Sequence, residues 1–396
     1  MPQTSVRPLA EPAPEQPAFS DDALLLTDAP VPFARDRGRA AGTFASRTIS
    51  DWAELEALQD AWEELAAASV EPNPFYEPWM LLPALRSFAR RERVEVVLVF
   101  RGDLLCGLFP IVHRRGRAGL WRHPYCYLTA PLLRRGCERA AIHSWLDRLA
   151  ARAAVVRLED VPGDGCVRLH LVDELNERKW PALVSEAYTR AVLRRGPSAE
   201  EFLSRALAGK RRKELRRQRA RLSELGGLTT EELPPGADPA PWVDEFLDLE
   251  AQGWKGREGV DSVRDRTFVQ QMAAGGARRG KLQMLALRLD GRPVAMKMNL
   301  VGGEGAFAFK ITFDESFRRF SPGVLLELDN VERAHQLPAL RWMDSCAAPN
   351  RFMINHLWPD RREMQTVFFS TGSRRGALAV AMIPLLHFLR RLVRAA

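Results

Sequence analysis

Apolar positions recur along this chain with two different periods. Trp52, Leu55, Leu58, Trp62 and Leu65 fall three or four apart, one face of a helix, behind Asp51 as a candidate N-cap. Asn73-Pro74-Phe75 breaks that pattern, and a second helical stretch follows over 79–88. The pattern then changes to that of strands. VEVVLVF (94–100), the turn Arg101-Gly102-Asp103 and LLCGLFPIV (104–112) predict a β-hairpin. The same design returns as LQMLALRL (282–289), Asp290-Gly291 and RPVAMKMNLV (292–301), with Asp-Gly as a strong tight-turn signal. Gly302-Gly303 leads into a third strand, EGAFAFKITF. Strict alternation there places Phe307, Phe309, Ile311 and Phe313 on one face and Ala306, Ala308, Lys310 and Thr312 on the other. Beyond the next helix, LRWMD predicts a fourth strand that ends at Asp344.

Two hairpins flanked by helices predict a duplicated α/β fold of mixed, mainly antiparallel sheets. With 396 residues there is room for two domains. The expected division is a Pro/Ala-rich disordered tail (1–42), an N-terminal half (43–190), a C-terminal half (191–375) and a C-terminal amphipathic helix (376–396). Near the middle boundary, Ser198 and Glu201 read as a capping box opening the helix EEFLSRAL. The apolar run ALAVAMIPLLHFL (377–389) would span only about 20 Å as a helix, and Pro384 interrupts it. Two readings of it stand: a core helix, or a helix lying on a membrane face with Arg390, Arg391 and Arg394 at its end.

Charge adds one element. The net charge is +8, a modest excess that suits an anionic ligand or surface. It concentrates in GKRRKELRRQRARLSEL (209–225), where eight of the twelve residues from Lys210 to Arg221 are basic and Leu215 and Leu222 leave one narrow apolar stripe. This helix reads as a solvated face, a docking face for an acidic cofactor or polymer, or a nucleic-acid contact. No aromatic interleaving or DNA-reading motif accompanies it. Five cysteines and seven histidines are scattered singly, so neither a disulfide framework nor a metal site is expected. The first residues lack the apolar core of an export signal, so the expected compartment is the cytoplasm, with contact to the inner membrane face through the C-terminal helix left open.

The most specific stretch is FKITFDESFRRFSPGVLLELDNV (309–331). Ser321 suits an N-cap, Pro322 suits the first helical position, and Gly323 leaves the backbone open. Val324, Leu325, Leu328 and Val331 then form a helical apolar face. A helix start presents unpaired N–H groups and partial positive charge, to which Arg318 and Arg319 add full charges: a site for an anion such as a diphosphate. The turn GGEG (302–305) joins two strands and opens no helix, so it is not a phosphate loop.

On these residues the sequence resembles the CelD-type acetyltransferase-like proteins of the GNAT superfamily. These are bacterial proteins associated with cellulose or other exopolysaccharide synthesis, and they are similar to Fem-type peptidoglycan aminoacyltransferases. The matching stretches are KRRKELRRQRARL, FLDLEAQGWKGREG, the hairpin with RPVAMKMNL, and FKITFDESFRRFSPGVLL. The resemblance runs over 48–370 and is strongest over 198–330. It implies tandem GNAT-like halves, of which the second binds acetyl-CoA (or another acyl-CoA) with Arg318, Arg319, Ser321, Gly323 and Val324 around the pyrophosphate. The first half is expected to be degenerate. Its Leu128-Thr129-Ala130-Pro131 has no glycine and no adjacent arginine.

Acyl transfer to an amine needs a neutral amine, a stabilised oxyanion and a proton for the thiolate. Deprotonating a lysine-like amine at neutral pH costs about 4–5 kcal/mol, which a positioned carboxylate or imidazole can offset. Asp344, Glu315 and His356 are the candidates, in that order. Cys346 is a further candidate nucleophile, without a basic partner at a telling spacing. Trp254 and Lys255 are candidates for an acceptor platform, with a plain helix-ending turn as the other reading. Lys310 is a candidate substrate contact or the partner of an internal carboxylate. The expected function is transfer of an acyl group to an amine or hydroxyl of a sugar or polysaccharide precursor, alongside a polysaccharide-synthesis machinery. Two alternatives stand: a Fem-like enzyme using aminoacyl-tRNA, the one nucleic acid expected, and a non-catalytic module of a polysaccharide-synthesis assembly.

Overall fold

A computed structural model describes residues 43–253, 263–349, 352–386 and 388–389. The expected N-terminal tail and the platform residues Trp254 and Lys255 lie outside the described residues.

In chain order the first half runs β1 (Phe44–Ile49), α1 (Trp52–Glu56), α2 (Gln59–Ala67), α3 (Pro78–Phe88), β2 (Arg93–Arg101), β3 (Leu104–Arg114), β4 (Arg117–Leu120), β5 (Leu132–Leu133), α4 (Glu138–Ala150), β6 (Val155–Pro162), α5 (Cys166–Glu177) and β7 (Ala182–Arg194). The second half runs α6 (Ala199–Ala206), α7 (Gly209–Ser223), β8 (Leu228–Glu232), α8 (Ala240–Gln252), α9 (Val263–Ala277), β9 (Leu282–Leu289), β10 (Arg292–Gly302) and β11 (Gly305–Phe313). A 3₁₀ turn (Glu315–Phe320) leads on to α10 (Pro322–Gln336), β12 (Trp342–Asp344), α11 (Phe352–Leu357), β13 (Asp360–Ser370) and α12 (Arg374–Ala381).

Local chemistry accounts for many of these boundaries. Asp51 accepts from the Ala53 N–H, and Ser198 accepts from the Glu201 N–H, as N-caps do. Both predicted hairpins form, with Arg101 opposite Leu104 and Leu289 opposite Arg292. The helix expected over 51–65 divides into α1 and α2.

The sheets of the two halves are one sheet, in the order β1-β2-β3-β4-β6-β13-β7-β12-β11-β10-β9-β8. This order is symmetric about the β13–β7 pair. On each side lies one parallel pair, β4–β6 and β11–β12, and the other neighbours are antiparallel. The halves exchange their last strands. β7 pairs with β12 of the second half, β13 pairs with β6 of the first, and β7 and β13 pair with each other from Asp360↔Val192 to Phe369↔Ala182. The division expected at 190/191 therefore falls inside β7.

One feature of β11 corrects the sequence reading. The β10–β11 register passes from Met298↔Lys310 to Asn299↔Ala308, so Phe309 is an extra, bulged residue. A bulge shifts the alternation by one. Phe307 and Phe309 pack in the core shared with α8 and α9, while Phe313 faces the opposite core beneath α10. Lys310, expected opposite Phe309, instead reaches α8 on the same side as Phe309.

Candidate functional site

β12 is three residues long, and all three pair with the start of β11: Gly305↔Trp342, Ala306↔Met343 and Phe307↔Asp344. β12 ends at Asp344, opposite Phe307, so among the described residues 308–313 of β11 run on beside β10 alone and leave a splay, an edge without a neighbouring strand. The splay opens toward the C-terminal ends of a parallel pair. The chain then crosses through the 3₁₀ turn to α10, whose first turn faces that opening.

The mouth of α10 has unusual backbone geometry. Ser321 sits in the left-handed region at φ 53° and ψ 49°, uncommon for a residue with a side chain. It is the N-cap by position, but its hydroxyl caps nothing. Its carbonyl instead accepts from the Val324 and Leu325 N–H groups. Among the described residues the Gly323 N–H has no backbone acceptor. A Cβ at Gly323 would lie 3.3 Å from the Phe313 ring, a tight contact, so glycine here suits the close packing of α10 on the end of β11. Arg318 and Arg319 are both exposed, with Arg319 lying over the Phe320 ring at 4.6 Å.

The basic helix α7 borders this mouth. Leu215 and Leu222 are its buried stripe, as the sequence predicts. Lys210, Arg211, Lys213, Arg216, Arg217 and Arg221 are exposed. Arg219 ties α7 to α10 through the Leu325 carbonyl and the Asp329 carboxylate. An open groove of about 350 Å³ runs between α7 and the 3₁₀ turn, and its lining balances Arg221 and Arg319 against Glu214 and Glu224, with Gln218, Leu225 and Phe320 completing it.

Below α10 lies a buried polar network. Lys297 of β10 donates to Glu327 of α10 at 2.8 Å, with both side chains almost fully buried. Asn330 donates to the other Glu327 oxygen, Asn299 donates to Asn330 and Gln283, and Gln283 donates to Glu232. This network adds directional contacts to the apolar face of α10, whose Leu325, Leu326 and Val331 are fully buried.

The inner side of the splay is lined from both halves. Lys310 donates to Glu250 of α8 at 2.7 Å, and its ammonium lies 5.2 Å from the Tyr125 ring centre. Tyr125 and Tyr127 come from the first half, in the segment between β4 and α4, and pack against Phe309. Burial pushes both hydroxyls far above the usual tyrosine range, with Asp265 adding to the effect on Tyr125 and Cys346 to that on Tyr127. Both therefore keep their protons at any physiological pH and can act as donors.

The predicted residues separate in space. Asp344 stands at the fork of the splay, fully buried, with Oδ1 3.2 Å from Arg190 Nε and accepting from the Cys346 N–H, and with Oδ2 3.7 Å from Arg362 Nη1. Arg190 in turn donates to the Tyr127 carbonyl at 2.8 Å. This carboxylate is the counter-ion of two guanidinium groups, an arrangement for positioning Tyr127 and the fork rather than for taking a proton from a substrate. Glu315 is exposed beside Gly253 at the end of α8, and His356 is exposed on α11. Burial, and then Asp344, push the Cys346 thiol well above its ordinary range, the reverse of an activated nucleophile. Lys310 has the internal carboxylate partner that was one of its two readings.

Sequence reasoning missed Glu250, Tyr125, Tyr127 and Arg190. One signal existed. Val243, Phe246, Leu247 and Glu250 recur at helical spacing, so Glu250 is an acid on an apolar face, and it is buried.

The counterpart of the α10 mouth in the first half also differs from expectation. By topology it is the start of α4, preceded by Arg134-Arg135-Gly136-Cys137, not Leu128-Thr129-Ala130-Pro131. The first half thus has two arginines and a glycine at this place.

Residues 209–352 match the model of the acetyltransferase (GNAT) domain. This match makes the protein an acyltransferase by class, with the GNAT domain in its second half. The matched region includes the splay, α7, α8 and the α10 mouth.

Solved structures extend the likeness to the whole fold. FemX is 10% identical, with a TM-score of 0.53 over 82% of this chain and 96% of that one. A C-terminal domain described as that of a lysylphosphatidylglycerol synthetase from Agrobacterium fabrum is 12% identical, with a TM-score of 0.52 over 84% and 95%. A conserved protein of unknown function from Bacteroides thetaiotaomicron is 14% identical, with a TM-score of 0.50 over 79% and 96%. At these identities the likeness is one of fold. Among curated proteins no relative matches the sequence.

Proposed function

We propose that the second half transfers an acyl group from acyl-CoA to an amine or hydroxyl acceptor, a sugar or a cell-envelope polysaccharide precursor in our reading. The observation that carries this is the splay of β11 from β12 beside the α10 mouth. In this reading an extended thioester arm lies along the edge of residues 308–313 that β12 leaves unpaired. The mouth sets the Gly323 N–H, the positive end of the α10 dipole, Arg318 and Arg319 at the place for a diphosphate.

Within that reading the acceptor enters on the side of Glu250 and Lys310. Glu250 takes the proton of the attacking group, with Lys310 holding its carboxylate in place. The proton taken by Glu250 is then passed to the leaving thiolate, to which Tyr125 or Tyr127, whose protons are retained, donates a hydrogen bond. Asp344 acts through Arg190 to hold Tyr127. Glu315 and His356 are at the surface, where they suit contacts with a large acceptor.

The six exposed cations of α7 favour a second reading, a donor carried on tRNA as in Fem-type enzymes. One experiment separates the two. Thermal-shift titration with acetyl-CoA should raise the melting temperature, and Arg318→Ala/Arg319→Ala should weaken that effect at least about tenfold, ~1.4 kcal/mol. Both side chains are exposed, so folding is unaffected. Absence of a shift at millimolar acetyl-CoA with intact tRNA binding would transfer the proposal to the second reading. Binding of neither ligand would leave a non-catalytic module.

A further inference from the structure

The C-terminal segment shows two apolar faces where folding needs one. Val380 and Ile383 point inward and pack with Val155, Leu183 and Phe368 of the sheet. On the opposite side Leu378 of α12 is followed by Met382, the turn at its end, and then by Leu385 and Leu389, at intervals of four, three and four residues, the spacing of one helical stripe. Leu386 and Phe388 widen it. All six are exposed, Leu378 at 66% and Phe388 at 58%. Among the described residues only Leu225 and Val263 are other large apolar side chains with such exposure. Exposed apolar surface in this protein is therefore concentrated in one segment and aligned on one face, which marks a binding surface.

Charge identifies the partner. From Gly372 to Ala396 the sequence contains five arginines, Arg374, Arg375, Arg390, Arg391 and Arg394, and no acidic residue. They bracket the apolar stripe, two before it and three after. A second copy of the chain docked through the same face would bring arginine against arginine across a two-fold axis. A surface that is apolar below and anionic above satisfies both features at once. No helix among the described residues is long and apolar enough to cross a membrane. We propose that this face docks the enzyme on an anionic phospholipid bilayer, with the helix parallel to the surface and the stripe about 5–10 Å into the headgroup boundary.

The test is sedimentation of the full-length protein with phospholipid vesicles. Vesicles of equal parts phosphatidylcholine and phosphatidylglycerol should carry the protein down, vesicles of phosphatidylcholine alone should not, and added salt should weaken the binding. Leu378→Ser/Leu385→Ser/Leu389→Ser should weaken it at least about tenfold. Arg374→Gln/Arg375→Gln should weaken it about fivefold per arginine, on anionic vesicles only. These side chains are outside the core, so circular dichroism melting should be unchanged; if the triple variant misfolds, the arginine variant decides. Undiminished binding by the arginine variant or by a folded triple variant overturns the proposal. So does a wild type that stays in the supernatant, or one that dimerises through this face in analytical ultracentrifugation without binding vesicles. The measurement is independent of acyl transfer.

Discussion

The two halves carry the same design with opposite outcomes at the helix mouth. In each, a third strand leads across to a helix and returns to a parallel strand. In the second half eight residues (314–321) make the crossing, and the mouth keeps two exposed arginines. In the first half seventeen residues (121–137) make it. There Glu138 accepts from the Gly136 N–H at 3.0 Å, and Arg134 is bound to Glu64 and to the Leu105 carbonyl. The first mouth thus supplies its own anion. The longer crossing also carries Trp121, His123, Tyr125 and Tyr127, which pack with Phe88, Phe268, Phe75 and Phe309. What separates the halves is how far the residues around a shared mouth are spent internally: in the first, Arg134 and the Gly136 N–H are engaged while Arg135 stays exposed. Arginines and a glycine are present in both.

The helices are seated differently as well. α4 rests on apolar contact, with Trp145 stacked on Phe109 at 4.8 Å. α10 adds the Lys297–Glu327 pair and its amide network to the buried apolar contacts of Leu325, Leu326 and Val331. The largest predicted effect exploits this contrast. Lys297→Met leaves Glu327 buried without its cation and should destabilise the protein by about 3–5 kcal/mol in urea unfolding. Lys297→Met/Glu327→Leu should recover most of that loss. A single-variant cost below about 1 kcal/mol would show that α10 is seated as α4 is.

A smaller effect tests the aromatic filling of the first half. His123 is fully buried, neither ring nitrogen has a hydrogen-bond partner, and burial, with Arg122 nearby, lowers its pKa from 6.5 to about 3. Between those values the unfolded chain binds the proton and the folded protein does not. Stability from this group is complete above pH 6.5 and falls as the pH drops toward 3. The expected loss between neutral pH and pH 5 is about 2 kcal/mol. His123→Phe should remove that component of the acid sensitivity, and an unchanged pH profile in this variant would place the sensitivity elsewhere.

The smallest effect concerns the first mouth itself. Glu138→Ala should cost about 0.5–1.5 kcal/mol of stability and leave acetyl-CoA affinity unchanged in calorimetry. A second binding event in that variant would mean that Glu138 alone keeps the first half silent.

Much of the fold was legible in local pattern. Asp290-Gly291 forces a tight turn, Ser198 caps α6, and the three- and four-residue spacing of Leu325, Leu328 and Val331 makes α10 whichever partners it meets. The basic character of α7 and the arginines before α10 were equally plain. Less was legible in the site, because its members lie far apart in sequence. Nothing near Asp344 announces Arg190, and nothing near Lys310 announces Tyr125. The first-half mouth was sought six residues too early, since its longer crossing hides the alignment.

By itself, then, the sequence determined most of the elements, their turns and which residues stand at the second mouth, because those depend on contacts within a few residues. Only the tertiary structure decided the exchange of β7 and β13, the bulge at Phe309, and the gathering of Glu250, Lys310, Tyr125 and Tyr127 at one splay. A single inserted residue reverses the faces of a strand without altering its composition. Pairing across more than a hundred residues leaves no periodic trace in either partner. Both are settled when the two halves close on one another.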